Sequence, residues 1–481
     1  MHQLFTGDRA ATHRLLDAVL DRTTAYFRTL PRRPAGVSNP DTSALRELAL
    51  PDSGPGAGPA LDRLLAAVEP LVAATTSHRY LGYVTGGVTP AALAADWLTS
   101  LYDQLPQGLA DAGDVSAHVE RHTIALLREL LGVSPNFDGG FVTGATMSNF
   151  TCLGAARQWL GRRQGYDVAA TGLRQPMTVF AATPHSSATK ALSMLGLGRN
   201  TVTEVATLPD REAMDVADLA RRAAALDGAP FVVVASAGTV NTVDFDDFAA
   251  ILDLRDRFDF WLHIDAAFGG FAGLLSDDFV ARTQVQGGLL RQWNGADSIT
   301  VDNHKWLNVP YDSGTWFVRA DHRAAQRGTF RNGNAAYLNV ADGDYTYLDV
   351  GPENSRRLRA LPVLATLLAY GRAGYRDVVE RCVATALALG EALAAHPAFE
   401  LLAPVRLNVV AFTLAGRPPR EVDAFCARLA AAGRYFLTPT TLAGRRGLRA
   451  AFVNWQHEPT QVPALMEALT AVLTADQPAR P

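Results

Sequence analysis

Several classes of protein are excluded by what this chain has little of. Basic charge is not in excess: 44 Lys and Arg stand against 48 Asp and Glu, a net charge of -4. That balance offers no basic face for nucleic acid and no polybasic anchor for a membrane surface. Cysteine is sparse. Cys152, Cys382 and Cys426 are scattered through apolar helical contexts, so they fit neither a disulfide framework nor a metal cluster. No apolar run is long enough to span a bilayer. The first residues carry no apolar core with a cleavage site, since Asp8, Arg9 and Arg14 interrupt them. No internal repeat or low-complexity segment is present. Together these features predict a reduced, cytoplasmic protein. Lysine is scarce beside alanine and arginine, a usage that suggests a GC-rich bacterial genome. What is present is an ordinary globular composition, 48% hydrophobic and 19% charged over 481 residues, enough for a large core and two or three structural units.

The informative stretch is 296–318, ADSITVDNHKWLNVPYDSGTWFV. Lys305 lies there between His304 and Trp306, after the β-branched run Ile299, Thr300, Val301 and before a second strand-like run at 315–318. An ammonium between two buried strands is costly unless it has a partner. A salt bridge would serve, and so would a Schiff base with a carbonyl cofactor. The local sequence leaves both open. Upstream, 258–270 reads FDFWLHIDAAFGG, a strand with Asp265 at its carboxyl end, the edge where open α/β sheets bind ligands. Asp265 could be an ion-pair partner, a helix cap, or the carboxylate that keeps a pyridine nitrogen protonated.

Two motifs, His263-Ile264-Asp265-Ala266-Ala267 and His304-Lys305-Trp306, resemble those of the group II pyridoxal-phosphate-dependent amino acid decarboxylases, the aromatic-L-amino-acid and glutamate decarboxylase-like family. The resemblance covers nearly the whole chain and is densest over 77–380. It implies a fold type I α/β architecture: a mostly parallel seven-stranded sheet, a helical N-terminal segment and a small α+β C-terminal domain. The expected division is 1–85 for the helical segment, packing across a homodimer, 86–360 for the cofactor-binding domain, and 361–481 for the small domain.

Taken in order, 1–85 reads as helices broken by Pro/Gly-rich connectors, too little core to stand alone. The 77–87 stretch SHRYLGYVTGG matches a family segment whose aromatic residue, here Tyr83, lines the substrate pocket; a half-buried loop tyrosine is the plain alternative. Glu120 matches a Leu-Glu position, and could equally be solvated. The run from Phe141 through Gly144, Ala145, Thr146 and Ser148 reads as strand, glycine turn and helix, a ready anion site or simply a capped helix. The resemblance implies that Ala145 and Thr146 hold the cofactor phosphate. It also implies that His185, in Thr183-Pro184-His185-Ser186-Ser187, stacks on the cofactor ring, and that Ser236, Ala267 and His304 contact the cofactor. After Ser236 the run Val240-Asn241-Thr242-Val243-Asp244 departs from the family pattern, so no further ligand is assigned there. The long polar stretch 323–351 matches a loop whose tyrosine protonates the substrate carbon. Tyr337, in Ala336-Tyr337-Leu338, is the match, with Tyr345 and Tyr347 as neighbours in competition. Ser355, before Arg356-Arg357, matches a substrate-selecting position.

The expected activity is decarboxylation of an L-amino acid with pyridoxal 5'-phosphate, an aromatic side chain favoured by Tyr83 and Ser355. Lys305 would bind the cofactor covalently, Asp265 hold its ring nitrogen and Tyr337 return the proton. The rivals are an oxygen-using aldehyde synthase, a decarboxylase of acidic, branched or diamino acids, an aminotransferase, a non-catalytic binder, and a metal site built from His263, Asp265 and His304.

Overall fold

Continuous apolar runs such as FVVVAS and FWLHID fold as strands with every residue buried, the pattern of a parallel sheet covered on both faces. The structure, a computed structural model, describes residues 3–109, 114–283, 292–332 and 345–474. Its main sheet comprises β1 (Phe137–Val142), β2 (Val179–Ala181), β3 (Val202–Glu204), β4 (Phe231–Ser236), β5 (Phe260–Asp265), β6 (Ser298–Asp302) and β7 (Gly314–Arg319). Seven strands lie in the order β1-β7-β6-β5-β4-β2-β3. Only β7 runs against its neighbours, β1 and β6. The others point their carboxyl ends the same way, as helical crossovers require. This is the fold type I arrangement expected above.

Register then decides what meets at the carboxyl edge. Ser236 is aligned with Asp265, and Asp265 with Thr300, two residues before Asp302. Three strand ends therefore deliver Ser236, Asp265 and Asp302 side by side, at the edge where crossover loops open a crevice.

Helices cover the sheet and flank it. They include α1 (Gln3–Thr29), α2 (Ala57–Val68), α3 (Pro90–Tyr102), α4 (Ser116–Leu131), α5 (Ala145–Arg163) and α6 (Ser186–Met194). Thr89 caps α3 through its hydroxyl, with Pro90 in the first turn, as the Thr-Pro pair predicts. The long α7 (Ala360–Ala395) breaks at Gly371, whose φ of 57° is open to glycine at little cost. Beyond it, β8 (Phe399–Leu401), β9 (Val409–Leu414), β10 (Thr438–Leu442) and β11 (Arg445–Ala451) form an antiparallel sheet in the order β10-β11-β9-β8. Helices Pro419–Ala432 and Val462–Thr474 complete this small α+β unit. Glu120 is fully buried and paired with Arg356 at 2.5 Å. No described helix is long and apolar enough to cross a membrane.

Candidate active site

Lys305 follows β6 on a short helix, Asn303–Trp306. Trp306 pins that turn: its buried indole donates to the Phe268 carbonyl at 2.7 Å. The backbone is held from the other side by the 77–87 segment. A Cβ on Gly86 would fall 1.8 Å from the Lys305 carbonyl oxygen, so only glycine permits the approach. Lys305 Nζ lies 2.8 Å from Asp302 Oδ2 and 5.4 Å from the centre of the Phe268 ring. Its side chain keeps 17% of its surface exposed, opening on a cavity of about 290 Å³.

Asp265 ends β5 in the same cavity. Its Oδ1 accepts from the Ala267 amide at 3.2 Å and its Oδ2 from Asn149 Nδ2 at 3.0 Å. Among the described residues no cation pairs with it. His185 caps α6: its Nδ1 accepts from the Ser187 amide at 3.2 Å and lies 2.7 Å from Ser187 Oγ. Burial holds His185 below the ordinary imidazole pKa, opposed by the charge of Asp265 and assisted by that of Lys305. The ring is therefore neutral at neutral pH.

His304 Nδ1 accepts from the Ser313 amide at 3.2 Å, and its ring packs on Tyr311 at 4.3 Å. Burial lowers its pKa as well. Ser236 lines the cavity and donates to the Thr183 carbonyl at 3.4 Å. Its amide donates to buried Asp246, whose pKa burial pushes up to about 6. Ala145 and Thr146 open α5 and do not line the cavity wall. They adjoin it through Asp302, whose Oδ1 accepts from the Ala145 amide at 2.6 Å. Gly144 itself offers no cap to α5, whose first amide is taken by Asp302, and a Cβ on Gly144 would meet His304 Cε1 at 3.0 Å. Tyr83 lines the mouth, 61% exposed.

Other expected residues lie elsewhere. Tyr337 falls outside the described residues. Tyr347 is buried under the Arg356 guanidinium, 4.8 Å away, and Tyr345 packs edge-on to it. Ser355 is exposed and not part of the cavity wall of this chain. His263 and His304 do not converge on a common ligand: His263 faces Asn149 and Ser298, His304 faces Ser313.

Three residues carry weight that the sequence reading missed. Asp302 stands three positions before Lys305, a spacing that puts both on one helical face. Asn149 is buried in α5 between Asp265 and Ser187. Arg449, on β11, reaches the cavity wall from the small sheet, donating to the Tyr83 carbonyl at 2.8 Å and the Val240 carbonyl at 2.6 Å. Burial lowers its pKa, and among the described residues no carboxylate forms an ion pair with it.

These groups fit pyridoxal phosphate. A buried carboxylate without a cation suits a pyridinium nitrogen, Lys305 suits its carbonyl carbon, the flat His185 ring suits its face, and the first turn of α5, which has no cap from Gly144, suits its phosphate.

Residues 48–415 match the family model described as the pyridoxal-dependent decarboxylase conserved domain. The aromatic-L-amino-acid decarboxylase of Bacillus atrophaeus is 30% identical over 341 residues, 69% of this chain and 66% of that protein. The L-2,4-diaminobutyrate decarboxylase of Rhizobium meliloti is 29% identical over 394 residues, 79% and 75% of the two chains. The crystal structure of Oryza sativa TDC with PLP and tryptamine superposes with a TM-score of 0.83 at 22% identity, covering 99% of both chains. With the strand-end carboxylate and the lysine on one cavity and the start of α5 adjoining it, this chain belongs to the pyridoxal-dependent decarboxylase family, a lyase of amino acids that carries pyridoxal 5'-phosphate.

Proposed function

We propose that this chain removes the α-carboxyl group of an L-amino acid, an aromatic side chain favoured, giving the amine and carbon dioxide. The observation that carries the reading is the convergence of Lys305, Asp265 and His185 on one cavity of about 290 Å³. When bound, pyridoxal phosphate supplies a carbonyl to link amines and a ring that withdraws electrons. Lys305 anchors that carbonyl carbon. Asp302, at 2.8 Å, balances the lysine's charge whenever the amine is free. Asp265, whose carboxylate accepts from two N–H donors, would hold the proton on the ring nitrogen. His185 would pack on the ring face, and Ala145 and Thr146 at the start of α5, with His304, would hold the phosphate.

Arg449 orients the substrate. A guanidinium has five N–H donors, and the Tyr83 and Val240 carbonyls use two of them, which leaves donors for a carboxylate. Tyr83 and Tyr311 give the mouth an aromatic rim. Tyr337 is the acid that returns a proton to the α-carbon, and keeping it there favours amine over aldehyde.

We also propose a cytoplasmic homodimer in which 1–85 packs on a second copy. Helix α1 buries none of its residues within the chain, and Phe5, Leu16, Leu20 and Phe27 stand exposed on it. Leu98, Leu101 and Tyr102 do the same on α3. Such patches mark protein interfaces. Sedimentation checks the dimer.

The function is tested by loading the protein with pyridoxal phosphate and recording its visible band, then following carbon dioxide and amine from a panel of L-amino acids. Lys190 and Lys305 are the chain's two lysines, so borohydride fixation followed by mass mapping locates the attachment unambiguously. Amine from aromatic substrates confirms the reading. Turnover confined to acidic substrates would reassign Arg449 to the side-chain carboxylate. Aldehyde and peroxide in place of amine would establish the oxidative route. No visible band would overturn the proposal.

A further inference from the structure

We propose that Asn149 is a positioning residue whose single amide sets both the residue at the cofactor's ring nitrogen and the residue at its ring face. Asn149 is fully buried on α5. Its Nδ2 lies 3.0 Å from Asp265 Oδ2 and 3.1 Å from Ser187 Oγ, and its Oδ1 lies 2.9 Å from His263 Nε2. An amide can be built either way round, so its orientation has to be argued from groups whose roles are fixed.

Obligate donors stand at both ends of the network. At one end the Ser187 amide can only donate, and it donates to His185 Nδ1. That nitrogen is therefore unprotonated, so the Ser187 hydroxyl, 2.7 Å away, gives its hydrogen to the same nitrogen. Ser187 Oγ is left with lone pairs alone facing Asn149, which must present N–H. Asp265 gives the same answer, because a carboxylate oxygen at 3.0 Å accepts and cannot donate. At the other end Asn149 Oδ1 can only accept from His263 Nε2, so neutral His263 has a bare Nδ1 that accepts from the Ser298 hydroxyl at 2.9 Å, while Ser298 Oγ accepts from Trp261 Nε1, also at 2.9 Å. His263 then carries its proton on Nε2 and donates it to Asn149 Oδ1. Complete burial supports this neutral form, pushing the His263 pKa down to about 4.

Every role from Trp261 to His185 is thus determined, and Asn149 is the branch point. One N–H fixes the plane of the Asp265 carboxylate. The other holds Ser187, which orients the His185 ring and leaves its proton on Nε2. The inference deepens the cofactor reading and rests on it. Loss of Asn149 should disturb ring nitrogen and ring face together, whereas loss of Ser187 should disturb only the face.

The test compares wild type, Asn149→Leu and Ser187→Ala, each loaded with pyridoxal phosphate labelled with ¹⁵N in the ring. In Asn149→Leu the ring-nitrogen chemical shift should move towards the unprotonated value, and cofactor dissociation should rise about 10- to 100-fold, the loss expected for a buried hydrogen bond to a charged group. In Ser187→Ala the nitrogen shift should stay at the wild-type value. A second measurement needs no variant: ¹⁵N-histidine spectra of cofactor-free wild type should show His185 and His263 both protonated on Nε2. A wild-type shift and affinity in folded Asn149→Leu would overturn the inference, as would a His263 protonated on Nδ1. Wild type that binds no cofactor overturns the cofactor reading and this inference with it; wild-type uptake with an unaltered Asn149→Leu overturns this inference alone.

Discussion

Asp302 bridges Lys305 to the first turn of α5, with one oxygen 2.8 Å from Nζ and the other 2.6 Å from the Ala145 amide nitrogen. The ion pair explains how a lysine survives beside two buried strands when no cofactor is attached. Asp302→Asn keeps an acceptor for the Ala145 amide and removes the counter-charge; Lys305→Met removes the cation. In the cofactor-free protein each single change should destabilise, and the double variant should recover part of the loss. A coupling of about 1–3 kcal/mol is expected, since the pair is largely but not fully buried. Urea unfolding of the four proteins measures it, and a coupling near zero would remove the pair from the account.

That ion pair also shows what the sequence could reveal. A salt bridge and a cofactor linkage read as alternatives for Lys305, yet the structure supplies the bridge at the lysine the family motif marks for the cofactor. Strand ends were legible because parallel strands are continuous apolar runs that stop at polar residues, as at Ser236 and Asp265. Strand order was not, and it is order and register that put those two beside Asp302. Arg449 was hidden for a different reason. It belongs to β11, and only docking of the small sheet brings it to the Tyr83 and Val240 carbonyls. Asn149 sits in an apolar helix as one polar residue among several, and no local pattern separates it from a cap. Glu120 could be read as solvated, because the sequence does not show Arg356 folding back against it.

Arg449 should act on substrate and leave the cofactor alone. Arg449→Met removes the guanidinium while keeping an unbranched chain against Tyr83 and Val240. KM should rise about 10- to 100-fold, the range for losing one or two charge-assisted hydrogen bonds, while the visible band of the loaded enzyme stays put. Arg449→Lys should recover only part, since an ammonium cannot reproduce the planar fork. Steady-state kinetics beside an absorption titration separates the two effects; loss of cofactor with unaltered KM would reassign the residue.

The pair of Glu120 and Arg356 should matter for stability. Both side chains are nearly or wholly out of solvent, and the guanidinium also donates to the carbonyls of Pro106 and Phe141. Arg356→Met strands the Glu120 carboxylate and should cost about 3–5 kcal/mol. Adding Glu120→Gln to that variant should return a good part of it. Denaturant midpoints report the result, and a double variant no better than the single would refute the pairing.

Tyr337 governs product identity in our proposal. Tyr337→Phe leaves an aromatic ring and takes away the acidic hydroxyl, so protonation of the α-carbon slows and oxygen competes for its electrons. Amine formation should fall at least about 100-fold, the usual contribution of a positioned acid. Aldehyde, ammonia and hydrogen peroxide should rise. A peroxide assay beside amine chromatography decides, and wild-type amine output would show that another group delivers the proton.

Acid should weaken the fold through imidazoles that the interior keeps neutral. Burial pushes His263 down to about 4 and His457 down to about 3. His457 accepts from the Asn454 amide at 3.1 Å and lies 2.9 Å from the His78 carbonyl, tying the small sheet to the N-terminal segment. An unfolded histidine titrates near 6.5, so between pH 6 and 4 the unfolded chain binds protons that the folded one refuses. Each such histidine adds stability that is fully present above pH 6.5 and is lost as pH falls towards its folded value. Asp246 acts with the opposite sign, because its raised pKa lets the folded state take up a proton first. Each of the two histidines contributes close to one proton, about 1.4 kcal/mol per pH unit, to the fall in stability towards acid; His78, His185 and His304, also lowered by burial, add with the same sign, and Asp246 offsets part. His457→Gln keeps an acceptor and a donor but does not titrate, so it should reduce the slope by about one proton, about 1.4 kcal/mol per pH unit, in this window. Urea unfolding at half-unit pH steps measures both slopes, and an unaltered slope in His457→Gln would show that His457 is charged in the folded protein.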